Sequence, residues 1–374
     1  MRVSILQDKF KKGIDQVMGV VEGKHTLPVL QNILLKTENA RLMIVGTNLE
    51  SSIEIVVGAK IDIEGQITLP GKTLQALIAK FPAERVDISV DYATLTATIK
   101  CGTSKSQLKG IDAAEFPLIQ PMNSIDFELS AAALKGIIQH ALPAAAKERN
   151  RPILCGIHLV SDGNILEVQA ADGYRLYCAT LELPSGTPIF NVVLPIDSMK
   201  LLVKLITTDV DSVGINVGGA RDVWMFQCKH TTLSTQLLEG KYPDIVAIIP
   251  RTYNTKMVLY TADLLNAVDR AQVFGHDNAY SMKMEIMPPT GPGEPGVVTL
   301  TGYSAERGML EGSLDATVEG DALAVSFNSK YMLDIPFEDE RLVLESNGPQ
   351  SAIVLRPENS DHEVYVMMPI STAR

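Results

Sequence analysis

"VQAADGYRLYC", residues 168–178, runs an apolar strand into an acid, a glycine, a tyrosine and an arginine, the make-up of a catalytic loop. Two other stretches share its layout of apolar strand, short polar turn and polar strand: "IVGTNLESSIE" (44–54) and "LTGYSAERGML" (300–310). Asn48 and Ser304 hold the slot of Asp172 there. An amide or a hydroxyl cannot replace a carboxylate as general base, so the shared layout is architectural. Asp172 reads as a turn residue that bonds its own backbone. The three landmarks lie 124 and 132 residues apart (172 − 48 and 304 − 172), which makes the chain three copies of one unit.

The flanking sequence repeats too. Each copy opens with a short strand and an amphipathic helix: "MRVSILQDKFKKGIDQVMGVV" from Met1, "SIDFELSAAALKGIIQHALPAA" from Ser124, "TKMVLYTADLLNAVDRAQVF" from Thr255. Ser130 and Asp263 stand where a helix start is favoured. A hairpin follows, 29–48, 153–172 and 280–304, the last enlarged by "PPTGPGEPG". Then comes a second helix unit: 67–81, 192–206 and 323–337. Each copy is expected to end in a closing strand, "AAEFPLI", "EGKYPDI" and "VYVMMPI", with Pro117, Pro243 and Pro369 spaced by 126. Antiparallel hairpins with sparse helices make the fold class α+β, with two helices per domain on an antiparallel sheet. The expected domains are 1–123, 124–253 and 254–374.

Composition narrows the function. Hydrophobic residues make up 46% of the 374, enough for sizeable cores. No apolar run approaches the ~20 residues of a membrane span, and the N-terminus lacks the pattern of a signal peptide. Cys101, Cys155, Cys178 and Cys228 are scattered without a C-x-x-C pair, which suits a reduced compartment. A cytoplasmic location is expected. The net charge of −11 argues against broad nucleic-acid binding but leaves room for a local basic stripe.

The apparent chemical motifs are decoys. "GQITLPGKT" (65–73) has five residues between Gly65 and Gly71, where a P-loop needs four, and the equivalent slots lack the glycine. It reads as a helix start that carries Lys72. His25, His140, His158, His230, His276 and His362 show no metal-ligand spacing and read as packed or surface residues. Glu338, Asp339 and Glu340 read as a solvated loop. There is no G-x-S-x-G elbow. The sequence shows no catalytic constellation and calls for no cofactor or metal.

The triple α+β repeat, with "TLPVLQNILL", "AADGYRL", "EGKYPDI" and "VYVMMPI" in register, resembles the bacterial DNA polymerase III beta subunit (sliding clamp) family over essentially the whole chain. The resemblance implies a non-catalytic processivity factor. It implies a head-to-tail homodimer closed into a ring around duplex DNA, with Leu108 facing Val273 and Phe274 of the other copy. A weakly basic lining on an acidic body fits −11, because firm phosphate contacts would slow sliding. Basic residues at helix ends and adjoining loops, Lys24, Lys72, Lys147, Arg149 and Arg151, are the candidates for sequence-independent DNA binding. Of these, Lys24, Lys72 and Arg149 sit in slots where the resemblance implies DNA contact. "GHDNAYS" in the third copy offers no Lys or Arg.

The same resemblance implies a groove for short peptides of the replicative polymerase, the clamp loader, other polymerases and repair proteins. Its residues are Leu154, Gly173, Tyr174, Arg175, Leu176, Pro243, Ile248, Val366, Met367, Met368 and Pro369. Aliphatic and thioether groups make an adaptable slot, with Tyr174 and Arg175 as polar rims. Met367 and Met368, being adjacent in a strand, should face opposite sides. Three features depart from the family: Ser106 where an aromatic is common, Ala247 where some relatives carry Arg, and the extension "ISTAR" to Arg374. A second clamp copy serving a specialised polymerase, or a hydrolase on a repeated scaffold, are the competing readings.

Overall fold

The computed structural model describes the chain apart from residues 22, 24–26, 149, 219–221, 276–279, 338 and 371–374. The helices are α1 (Gln7–Val21), α2 (Gly71–Lys80), α3 (Ala131–Ala141), α4 (Ile196–Leu205), α5 (Thr261–Gly275) and α6 (Ser329–Leu333). In α1 the buried residues Phe10, Ile14, Val17, Met18 and Val21 recur at three- and four-residue spacing. Each large apolar side chain on that stripe contributes roughly 2 kcal/mol by leaving water. α5 buries Leu264, Ala267, Val268 and Ala271 in the same pattern. Both helices lie close on strand glycines. A Cβ added at Gly46 would come within 2.5 Å of Val17, and one at Gly302 within 2.1 Å of the Ala271 carbonyl oxygen.

The chain forms two compact units, Met1–Lys135 with Asp197–Leu237, and Gly136–Ile196 with Leu238–Arg374. The first unit holds a five-stranded sheet and an eight-stranded sheet; the second holds a twelve-stranded sheet. The middle repeat is divided because its strands are shared out between two long sheets. In the first unit, Thr231–Gln236 of the middle repeat pairs antiparallel with Ser51–Gly58 of the first. In the second unit, Arg175–Glu182 of the middle repeat pairs with Glu363–Met367 of the third.

These two junctions share one register. Ser51 lies opposite Thr235 and Ile55 opposite Thr231. Arg175 lies opposite Met367 and Ala179 opposite Glu363. The second set follows from the first by the repeat shifts of 124 and 132 (175 − 51 and 367 − 235). Two strand edges of the same kinds remain. Ser104–Lys109 is the outer strand of the five-stranded sheet. Gly308–Gly320 pairs with Gly296–Ser304 along 308–316 and with Thr255–Tyr260 only from Thr317 onward.

The slot of Asp172 answers the question of the opening motif. Its Oδ1 accepts from the amides of Tyr174 and Arg175, both at 2.9 Å. Asn48 Oδ1 accepts from Glu50 at 3.0 Å and Ser51 at 2.7 Å. Ser304 Oγ accepts from Glu306 at 3.3 Å and Arg307 at 3.1 Å. All three cap the same turn through the amides two and three residues on. Gly173 has φ 93°, and Leu49 holds the matching position at φ 77°. In the first two copies the turn thus takes left-handed backbone at this position, even at a leucine, whereas Ala305 of the third copy does not.

Two expectations are corrected. The closing strand of the first two copies is not the proline segment. The strands are Ser104–Lys109 and Thr231–Gln236, and "AAEFPLI" and "EGKYPDI" lie beyond them outside any strand. "VYVMMPI" does lie largely in one, Glu363–Met367. The spacing of 126 thus equated Pro243 with Pro369 wrongly; strand register sets Thr235, not Pro243, against the third copy's Met367. The second correction concerns α6, which has 5 residues against 10 in α2 and α4. Pro336 lies just beyond it, and a proline disfavours helical backbone in the residue before it.

Candidate functional site

The turn at 172–175 places one large polar side chain where it cannot reach solvent. Arg175 has a side chain only 4% exposed, which excludes it from the rim where the sequence reading set it. Its Nε donates to Asp172 Oδ2 at 3.0 Å. Its Nη1 donates to Asp334 Oδ2 at 2.6 Å and to the Tyr365 hydroxyl at 3.2 Å. That hydroxyl donates onward to the Tyr331 carbonyl at 3.0 Å. The guanidinium carbon sits 4.3 Å from the Tyr331 ring centroid, within cation–π range. Burial opposes its charge, but Tyr365, Asp334 and Asp172 together hold the guanidinium above its ordinary range. Burial, followed by the Asp172 carboxylate, raises the Tyr331 phenol, which stays neutral.

An apolar floor lies beside this network. Leu154, Leu176 and Val366 are buried in one cluster with Ala146, Ala171, Tyr242 and Ile245. His158 stacks on Tyr242 at 4.6 Å. It is held by Gln169 at 2.9 Å and Asn191 at 2.8 Å, so it is a packed histidine. Around the floor, apolar groups stand in solvent: Tyr174 is 65% exposed, Ile248 67% and Met368 47%. Pro243 is exposed and Pro369 half-buried. Met368 donates its amide to the Tyr174 carbonyl at 2.8 Å, which ties the two sides together. Met367 is fully buried and belongs to the core, so the two methionines do face opposite ways. A cavity of about 610 Å³ opens here, walled by Leu154, Gly173, Tyr174, Arg175 and Tyr331, with Lys147 and Arg151 also on its lining. Exposed apolar groups over a closed apolar floor suit the short side chains of a peptide.

Family models match each of the three repeats. The N-terminal, central and C-terminal domains of the DNA polymerase III beta subunit match residues 1–120, 128–244 and 246–371 in turn. The chain belongs to the DNA polymerase III beta subunit family. It is 28% identical to the beta sliding clamps of Staphylococcus aureus and Staphylococcus epidermidis over 384 aligned positions, covering 100% of both chains in each case. Among solved structures, the DNA polymerase sliding clamp from Bacillus subtilis superposes with a TM-score of 0.93 at 25% identity, with 100% of each chain covered. The DNA polymerase III subunit beta from Pseudomonas aeruginosa gives 0.90 at 26% identity, covering 99% of this chain and 100% of that one.

Within this beta subunit fold the remaining site residues fall as follows. Lys72 is exposed in the first turn of α2. Lys24 and Arg149 lie outside the described residues, as do His25, His276 and Glu338. Lys147 and Arg151 are exposed on the lining of the cavity just described. Leu108 is half-buried on the outer strand Ser104–Lys109, which also carries Ser106. Val273 is 60% exposed and Phe274 half-buried in the last turn of α5. Ala247 is exposed between Val246 and Ile248. Tyr331 and Asp334 went unnoticed in the sequence, since nothing near them marks a contact 159 residues from Arg175. Among the described residues no group of three His, Cys, Asp or Glu could hold a metal, and no helix is long and apolar enough to cross a membrane.

Proposed function

We propose that this chain is a bacterial DNA sliding clamp. It is a non-catalytic processivity factor working in the cytoplasm. Two copies associate head to tail and close six repeats into a ring around duplex DNA. Topology then retains the ring, and contacts to phosphate stay weak and independent of sequence. Lys72 is one such contact, with Lys24 and Arg149 assigned by resemblance. The groove of Leu154, Leu176, Tyr174, Ile248, Val366 and Met368 docks short peptide segments of the replicative polymerase, the clamp loader, other polymerases and repair proteins.

One observation supports the reading above the rest. The edge-to-edge junction between repeats occurs twice in one register, and each of its two edge types occurs once more without such a partner. An exposed edge invites a strand, and unlike edges on one chain associate head to tail. Applying the repeat shifts, with Ser104 equivalent to Thr231, sets Leu108 opposite Arg307 and Ser104 opposite Glu311 of the second copy. Phe274 flanks that contact, since an added Cβ at Gly308 would stand 4.0 Å from its ring, and Val273, the residue before it, is exposed.

The test is retention on DNA. After loading onto nicked circular duplex, the protein should co-elute with the circle and fall off when the circle is cut. Equal retention on cut and uncut DNA would end the proposal. Independently, its mass in solution should be twice 40.6 kDa. A Met368→Asp variant should remain a dimer but lose peptide binding.

A further inference from the structure

We propose that Asn347 is a site of self-modification: its side-chain amide is lost to attack by the Gly348 main-chain nitrogen, and the product releases the segment that leads into the third repeat. The proposal uses neither the ring nor the groove reading, and it concerns only residues of the second compact unit.

The sequence supplies the reactive pair. Among the asparagines of the chain, Asn347 is the one followed by glycine, in "SNGPQ" (346–350). With no Cβ beside it, the glycine nitrogen is open to close approach. The fold also holds that nitrogen loosely. Gly348 donates to Ser346 Oγ at 3.4 Å, outside the usual range of about 2.7–3.2 Å. The Asn347 side chain meanwhile acts as a clip. Its Nδ2 donates to the Thr252 carbonyl at 2.7 Å, and its main-chain carbonyl accepts from Asn254 Nδ2 at 3.2 Å. Asn254 donates its amide to the Ser346 carbonyl at 3.1 Å, and its own carbonyl accepts from the Asp321 amide at 3.0 Å. These bonds continue the pairing of Thr255 with Ser346 past the end of the Thr255–Tyr260 strand.

The reaction consumes water alone. The Gly348 nitrogen bonds to Asn347 Cγ, the Cγ–Nδ2 bond breaks, and ammonia leaves with the proton of the Gly348 amide. Water then opens the cyclic imide. Opening at Cγ gives aspartate. Opening at the main-chain carbon gives an isoaspartyl link, in which the chain runs through Cγ and the former main-chain carbonyl becomes a free carboxylate. Neither product can donate to Thr252, because an ionised carboxylate only accepts. The aspartate instead sets a negative charge against the Thr252 carbonyl oxygen. Losing one such bond should make local opening at Asn254 about fivefold more frequent. Clip and chemistry compete for the same amide group. The reaction proceeds while Nδ2 is off Thr252, so each conversion records an opening of the loop and, being irreversible, keeps the clip undone.

The experiment holds the native full-length chain at mildly alkaline pH, where the attacking nitrogen loses its proton more readily. Mass spectrometry follows the tryptic fragment 342–374 over time. That fragment also carries Asn359, which is exposed in a turn and followed by serine, as an internal comparison. Asn347 should convert first, giving both aspartyl and isoaspartyl forms, while Asn359 lags. Conversion of Asn359 level with or ahead of Asn347 overturns the proposal, and so does conversion of Asn347 in urea but not in the native chain. The structural consequence is read by hydrogen exchange in Asn347→Asp and Asn347→Ala. The measured quantity is exchange at the Asn254 amide relative to Leu259, which lies inside the Thr255–Tyr260 strand and corrects for any global change in stability. The ratio should rise about fivefold in the alanine variant and further in the aspartate variant, which adds repulsion. An unchanged ratio in Asn347→Asp would show that the amide clips nothing, and the release of the segment would be overturned even if the conversion itself occurs.

Discussion

Arg175 donates to Asp334 at 2.6 Å across 159 residues of sequence. The bond joins the capped turn of the middle repeat to the residue that ends α6 in the third. It also holds Tyr331, whose ring faces the guanidinium and whose carbonyl receives Tyr365. A groove wall is thus positioned by a buried guanidinium behind it. Arg175→Ala removes the cation from a site where Asp172 and Tyr365 are themselves largely buried. It should cost about 3 kcal/mol of stability, within the range for stripping one partner from a buried pair. Asp334 is 42% exposed, and its removal should cost about 1 kcal/mol. Urea midpoints of the two variants measure this. Equal losses would show that Arg175 is not the hub.

Asp172 performs two tasks that a substitution can separate. Its Oδ1 caps the turn, as Asn48 does in the first repeat, while its Oδ2 meets Arg175. Asp172→Asn keeps the cap and gives up the charge. Asp172→Ala gives up both, leaving two amides without their acceptor. The alanine variant should be less stable than the asparagine variant by about 1 kcal/mol. Should both unfold at one denaturant concentration, the cap contributes nothing and the repeated slot has no energetic role.

The difference between what was legible and what was not follows the range of the interactions. The slot of Asn48, Asp172 and Ser304 was readable because a turn cap is made within three residues. Helix faces such as Phe10, Ile14 and Val17 were readable because burial imposes a period. Register across a junction was not readable. The loop near Pro292 and the short α6 lengthen and shorten the third copy by different amounts, so equal proline spacing misled. Arg175 looked like a rim residue because its neighbour Tyr174 is one, and alternation in the strand sends the next side chain inward. Its partner Asp334 carries no local mark.

The proposed association has a register that cysteines can read. Leu108 opposite Arg307 and Ser104 opposite Glu311 bring Ser106 opposite Met309 of the second copy, on strands whose edges are otherwise unpaired there. Opposed residues of antiparallel strands lie about 4.5–5.5 Å apart at Cα, inside the range a disulfide spans. A Ser106→Cys/Met309→Cys chain should form covalent dimers under mild oxidation, and either single variant should not. Covalent dimers from a Ser106→Cys variant paired one residue out of step, with Leu310→Cys, would mean that the repeat shift does not extend to the contact between copies.

Thiol reactivity gives a test that needs neither DNA nor a partner. Burial raises the Cys178 thiol to about 12, with Glu167 adding to the shift, and burial raises Cys228 to about 11. Cys101 is also raised, first by burial and then by Glu84 and Asp87. A raised thiol pKa leaves less thiolate at a given pH, and the thiolate is the nucleophile. At pH 8 about one Cys228 in a thousand is ionised, given a tenfold fall per pH unit below the pKa. Cys155 is half-exposed, follows Leu154 in the chain and packs against the apolar floor. Iodoacetamide at pH 8 should therefore modify Cys155 first, with Cys178 and Cys228 following only as the pH approaches 11 or the chain unfolds. The adduct adds bulk next to the groove floor, so singly alkylated protein should bind peptide more weakly while keeping its dimer mass. Mass spectrometry of tryptic fragments reads the order of labelling. Early modification of Cys228 in the native chain would contradict the packing around the Val223–Cys228 strand.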